Sequence, residues 1–320
     1  MLDTVLRVLR ALSAADAGWP GVEALFRAHA SPALALSHRT IAGQGGATTD
    51  LVRVSLAGSR GRLGGGDAPT LGVLGRLGGV GARPARIGFV SDGDGAAAAL
   101  AVALEAAMMA AQGDAMPGDL IVSTHICPRS PVVAHRPVPF MGSPVAMAEV
   151  NAWDVRPEMD AILSIDTTKG NRIMNHRGIA ITPTAKDGYV LKASRDLLDV
   201  YEAVCGVPPR VLAITTQDIL PYGTGIDHLN SIMQPATATA APVAGVAITT
   251  ETAVAGSQPN ASHEGDIALA ARFALEAAYR FGSRDLHFYD EDEYGRIVAL
   301  YGSLAHLRTV PAPPAPPAGT

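Results

Sequence analysis

The residues best suited to chemistry are carboxylates and imidazoles that recur just after short apolar runs. Asp92 and Asp94 stand two residues apart in Val-Ser-Asp-Gly-Asp-Gly. His125 closes Ile-Val-Ser-Thr-His, Asp166 and Lys169 sit in Ser-Ile-Asp-Thr-Thr-Lys, His228 follows Gly-Ile-Asp, and His263 and Glu264 lie in Ser-His-Glu-Gly-Asp. Two carboxylates as close as Asp92 and Asp94 either ligate a hard or borderline cation or share a proton. Carboxylates and imidazoles gathered from separate strand ends form the ligand set of a catalytic zinc or manganese site with one position open for water. Each residue also has a plainer role. The aspartate pair can cap a helix, Asp166 and Lys169 can pair with each other, His125 can be a hydrogen-bonded core histidine, and His263 with Glu264 can cap a helix and face its dipole.

To meet, these residues need parallel strands that end along one edge. Ile87–Val90 is predicted as a buried strand that runs through the aspartates into an alanine-rich helix over Ala96–Ala111. Further strands are predicted at Thr49–Leu56, Asp119–Ser123, Ala161–Ile165, Val211–Thr215 and Pro242–Thr249, with Gly178–Thr182 and Gly188–Lys192 as a hairpin. Helices are predicted at Thr4–Ala15, Val22–His29, Ser194–Cys205 and Ile267–Phe281. This alternation implies a three-layer αβα fold around a mixed, mostly parallel sheet. In such sheets ligands bind beyond the carboxyl ends of the strands, where Asp92, Asp94, His125, Asp166, Lys169, His228 and His263 would converge. Residues 1–40 are expected to form a helical arm, 41–309 a single α/β domain and 310–320 a disordered proline-rich tail.

Composition narrows the partners. The net charge of −5 comes without a basic cluster, which argues against nucleic acid. Two cysteines far apart support neither a disulfide framework nor a cysteine zinc cluster, so a reducing cytoplasm is the expected compartment. No signal-type leader or membrane segment is expected, and the apolar helix near the start suits a homodimer or higher homo-oligomer.

The order of motifs resembles a known family. Gly-Val-Leu-Gly-Arg-Leu-Gly-Gly-Val-Gly, Val-Ser-Asp-Gly-Asp-Gly-Ala, Ser-Thr-His-Ile-Cys-Pro, Ser-Ile-Asp-Thr-Thr-Lys-Gly-Asn-Arg and Ala-Ser-His-Glu-Gly-Asp are similar to motifs of the domain of unknown function 1177. More distantly, the Asp-Gly-Asp helix start, Ile-Leu-Ser-Ile-Asp-Thr-Thr, Gly-Thr-Gly-Ile-Asp-His and Ser-His-Glu-Gly-Asp resemble segments of the cocatalytic zinc aminopeptidases, with their phosphorylase/hydrolase-like fold. The second resemblance implies Asp92 or Asp94 as a bridging metal ligand, Asp166 as a ligand of one ion and His263 of the other. Where those peptidases carry a His-x-Asp, this chain has Gly75-Arg76-Leu77-Gly78-Gly79, and where they carry a Glu-Glu pair it has Thr124-His125. Either His125 substitutes as ligand or base, or the fold has been turned to another use.

The leading expectation is a zinc- or manganese-dependent hydrolase of a small amide. Asp94, His125 and Lys169 would take part in catalysis, and Lys169, Arg172, His228 and Glu264 would hold a small-molecule substrate. A metal-free isomerase or lyase using the same acids and bases, and a non-catalytic small-molecule binder, are the alternatives.

Overall fold

The computed structural model describes residues 1–43 and 46–310, so the expected proline-rich tail lies, apart from Val310, outside the described residues. The helices are α1 (Leu2–Ser13), α2 (Trp19–Arg27), α3 (Asp94–Ala111), α4 (Met147–Asp154), α5 (Arg195–Cys205), α6 (Glu264–Gly282) and α7 (Glu291–Tyr301). The first seven strands are β1 (Leu34–Ala42), β2 (Thr48–Leu56), β3 (Leu71–Gly75), β4 (Leu120–Ile126), β5 (Val132–Val133), β6 (Phe140–Met141) and β7 (Ala161–Thr168). They are followed by β8 (Gly178–Ile181), β9 (Ala185–Lys186), β10 (Tyr189–Val190) and β11 (Val243–Thr249).

One sheet runs β1-β2-β4-β3-β7-β11-β9-β10, with β8 also paired to β11. The four central strands β4, β3, β7 and β11 are parallel, and β2 and β8 join them antiparallel. Apart from half-buried Thr167, the residues of β3, β4, β7 and β11 are buried, as expected of strands covered on both faces. On one face α3 lies along β3, β4 and β7 and packs against α1 and α6. On the other, α4 covers β2 and β4, while the 3₁₀ turn Ser231–Thr237 covers β7 and β11. The result is the expected three-layer, mixed and mostly parallel fold.

Several elements follow from local chemistry. Ser194 caps α5 by accepting from the Leu197 amide at 3.2 Å, and Gly206 ends the helix in the left-handed region. The run Ala96–Ala99 of α3 is fully buried, because small side chains let a central helix lie close to a sheet. Ser91–Ala111 is long and apolar enough to cross a membrane, contrary to the composition-based expectation, but most of it is buried in this core.

Other expectations are corrected. Ile87–Val90 is not a strand: Ile87 is 82 % exposed, Gly88 takes a positive φ of 101°, and Val90 makes only an isolated bridge to Pro259. The strand that leads towards the aspartates is β3, and residues 76–90 connect it to α3 without regular structure. Gly178–Thr182 and Gly188–Lys192 do not pair. The first contributes β8 on β11, whereas β10 pairs with β9 across Asp187-Gly188, both at positive φ as a tight hairpin turn requires. Val211–Thr215 forms only a bridge from Val211 to Ile181.

Residues 1–40 are drawn into the domain. Val5, Val8 and Leu12 of α1 are fully buried in the main core, and the boundary at residue 40 falls inside β1. Of the apolar stripe that suggested a dimer, Val5, Val8 and Leu12 are covered by the chain's own core, while Leu6 stays exposed.

The placement of α3 depends on Gly95, where an added Cβ would lie 2.0 Å from the Arg76 carbonyl oxygen and 2.5 Å from that of Ile165. Gly95→Ala is expected to lower unfolding stability by about 3 kcal/mol, measured by urea denaturation, because neither contact is a side chain that can move aside.

Candidate functional site

Residues 91–94 form the centre of the polar edge. A 3₁₀ turn, Ser91–Gly93, leads directly into α3, so Asp92 and Asp94 sit at a helix start near the carboxyl ends of β3 and β7. Two segments pin this turn. From the loop before α6, the Gln258 and Gly256 carbonyls accept from the Ser91 and Asp92 amides at 3.1 and 3.0 Å, and Ala255 accepts from Ser91 Oγ at 2.9 Å. From β7, Thr167 Oγ1 donates to the Ser91 carbonyl at 3.1 Å.

Three carboxylates and one lysine share this edge. Asp94 is 1 % exposed, accepts from Ser262 Oγ, and faces Lys169 Nζ at 3.5 Å. Burial raises its pKa to about 6, against the pull of Lys169 and Ser262. Asp166 is 3 % exposed, and its oxygens accept from the Thr167 amide at 2.7 Å and from Ser231 Oγ at 3.0 Å. Burial also raises Asp166 to about 6, with these bonds and Arg76 opposing. Asp92 is partly buried and, among the described residues, no donor bonds its carboxylate. Burial, then the charge of Asp166, then that of Asp94 raise it to about 8, with Lys169 acting the other way. One ammonium does not neutralise three carboxylates, so the cluster retains a proton near neutrality.

The remaining sequence-chosen residues are disposed differently. His125 is 2 % exposed and its Nε2 accepts from the Gly78 amide at 3.0 Å, while burial, aided by Arg76, lowers its pKa to about 3. It is a neutral core histidine, not a free base or ligand. His263 is the N-cap residue of α6 with no side-chain cap bond, and its neighbour Ser262 reaches Asp94 instead. Glu264 and Arg172 are exposed, and His228 Nε2 donates to the Leu220 carbonyl at 3.0 Å, with its ring edge-on to Tyr222.

Four residues of the site were not foreseen. Ser231 and Ser262 hold Asp166 and Asp94, Arg76 acts on Asp166, and burial, then the nearby charge of Asp166, raises the Tyr222 phenol to about 12. Ser262 was the one within reach, since it directly precedes the His-Glu-Gly-Asp helix start. The cavity of about 750 Å³ lined by Tyr189, Tyr289 and Tyr294 lies elsewhere, near β9 and β10 at the amino end of β11.

The donor set does not fit the zinc or manganese ion expected from sequence. Among the described residues no three His, Cys, Asp or Glu side chains converge closely enough to hold one. Asp94 is engaged by Ser262 and Lys169, and Asp166 by Thr167 and Ser231, which leaves Asp92 as the open carboxylate.

The family described as "Protein of unknown function (DUF1177)" matches residues 39–311. The chain belongs to this family. No curated protein matches it. Among solved structures it is similar to a cytosol aminopeptidase from Coxiella burnetii at 13 % identity and TM-score 0.53, covering 89 % of this chain and 69 % of that one. A leucine aminopeptidase of Caenorhabditis elegans gives 11 % identity and TM-score 0.52, with 89 % and 65 % covered. The chain thus spans about two thirds of the length of these enzymes. At such identities the likeness is one of fold, and it establishes the aminopeptidase-type αβα architecture.

The raised pKa values make stability depend on pH. A carboxyl raised on folding favours the folded state fully below its unfolded pKa of 3.8, and that contribution is lost as pH rises through about 6 for Asp94 and Asp166 and about 8 for Asp92. Stability is expected to fall between pH 4 and pH 8. Asp92→Asn should flatten the upper part of this decline and be more stable than wild type at pH 8 by about 2 kcal/mol, read by denaturant titration across pH.

Proposed function

We propose that this chain is an aminopeptidase-like hydrolase of a small amide, such as a short peptide or amino-acid derivative, acting at the edge formed by Asp92, Asp94, Asp166 and Lys169. The observation that carries this reading is Asp92, an open, partly buried carboxylate raised to about 8 beside a lysine. A carboxylate tuned near neutrality suits general acid–base work. In its ionised fraction, which grows as pH rises towards 8, Asp92 takes a proton from the attacking water and returns it to the leaving amine. Lys169, held by Asp94, supplies positive charge towards the oxyanion that develops on the carbonyl oxygen. Asp166, fixed by Thr167 and Ser231, keeps the Asp92 proton affinity high. His125 takes no part, since its Nε2 is already bonded to Gly78.

The test is a screen of amino-acid amides and dipeptides by mass spectrometry, with wild type beside Asp92→Asn and Lys169→Met. Turnover is expected in wild type, reduced at least about 100-fold in both variants while the fold persists. No turnover, together with binding of the same compounds, would make the edge a recognition site only. About one equivalent of tightly held zinc or manganese, lost in Asp92→Asn, would replace the metal-free proton transfer with metal-assisted hydrolysis.

A further inference from the structure

The sheet ends on one side in β1, and that edge is unprotected. β1 pairs with β2 antiparallel over nine residues without an interruption, and among the described residues no strand pairs with its other side. Sheet edges are ordinarily blunted by brevity, lysine, proline or a bulge, because a row of free amides and carbonyls recruits another strand. The opposite edge follows that rule, since β9 and β10 have two residues each. β1, Leu-Ala-Leu-Ser-His-Arg-Thr-Ile-Ala, has no proline, lysine or bulge.

The register fixes which of its groups are free. Just past the strand ends and in the same register, the Ala33 carbonyl accepts from the Ala57 amide at 2.9 Å, and the Ala47 carbonyl accepts from the Gly43 amide at 2.7 Å. Bonded and non-bonded pairs alternate along an antiparallel ladder. The odd-numbered residues of β1 therefore turn their amides and carbonyls towards β2. Leu36, His38 and Thr40 turn theirs outward, where no group of the described residues bonds them. Ser37, His38, Arg39 and Thr40 are also exposed, so this row is open to a second strand.

A twofold axis through His38 makes the row complementary to itself. Antiparallel pairing centred there sets Leu36 against the partner's Thr40 and His38 against the partner's His38. Each of the three outward residues then exchanges two main-chain bonds with its opposite, about six in all. The side chains agree with this register. Arg39, the charged residue of the strand, falls opposite the partner's Ser37, and Ala35 falls opposite the partner's Ile41, so no like charges meet. Such pairing consumes the open edge of both copies and leaves only the short β9 and β10 edges outside, which closes the assembly at two.

We propose that this chain is a homodimer joined through β1, its two copies pairing edge to edge about a twofold axis at His38 to form one continuous sheet. The interface is separate from the Asp92 edge, because β2 and β4 stand between β1 and β3. It holds whether or not that edge hydrolyses an amide.

Sedimentation equilibrium of the full chain from micromolar to millimolar concentration tests this. Wild type is expected to be a dimer. Thr40→Pro removes an outward amide and the bond from Thr40 Oγ1 to Asp50 but leaves the β1–β2 ladder, so it should be monomeric with an unchanged circular dichroism spectrum. Ser37→Lys and Ser37→Glu test the register without altering the backbone. Lysine set twice against the partner's Arg39 should raise the dimer dissociation constant at least about tenfold above that of the glutamate variant. Monomer at every concentration, open-ended polymers, a dimer that survives Thr40→Pro, or equal dissociation constants for the two Ser37 variants would overturn the proposal.

Discussion

The close approach of α3 to the ends of β3 and β7 governs the rest of the structure. It is possible because glycine stands on both sides of the contact. A Cβ on Gly75 would lie 2.7 Å from the Gly95 carbonyl oxygen, and one on Gly95 would collide with the Arg76 and Ile165 carbonyls. With no side chains between them, the helix start reaches the strand ends, and Asp94 meets the lysine that follows β7. The alanines behind Gly95 continue the same close packing along the helix.

That packing has an electrostatic consequence. Three carboxylates are brought out of water at one edge with a single ammonium, and the three respond unequally because their bonds differ. Asp94 at the helix start gains from the dipole, Ser262 and Lys169, while Asp166 gains from Thr167 and Ser231. Asp92 has no such donor among the described residues and faces the charges of both others, so the retained proton resides most readily there. On the opposite sheet face Arg76 and Arg53 hold down Asp154, which burial raises to about 6. The two faces meet at Asp166, which is raised by burial and restrained by Arg76.

Elements whose stability is local or fully buried were legible. The alanine run of α3, the Ser194 cap and Gly206 stop of α5, and the apolar runs of β4, β7 and β11 declare themselves in composition and end signals. Strand β1 was missed because, as an edge strand with mostly exposed side chains, it depends on pairing with β2. α7 was missed for a similar reason, since none of its residues is buried. Ile87–Val90 misled because apolar composition cannot show that the chain finds no ladder there.

Which acids, bases and glycines follow which strands is legible along the chain, and parallel strand order then brings Asp92, Asp94, Asp166 and Lys169 to one edge. Their partners come from packing through space: Ser262 reaches Asp94 across 168 residues, and Lys169 across 75. It also withdrew His125, whose imidazole was spent on the Gly78 amide, and left His263 one residue away from the contact made by Ser262. The physical reason is that alternation and capping are properties of neighbours in the chain. The protonation and bonding of a buried side chain depend on groups that packing brings through space, and these have no signature in local spacing.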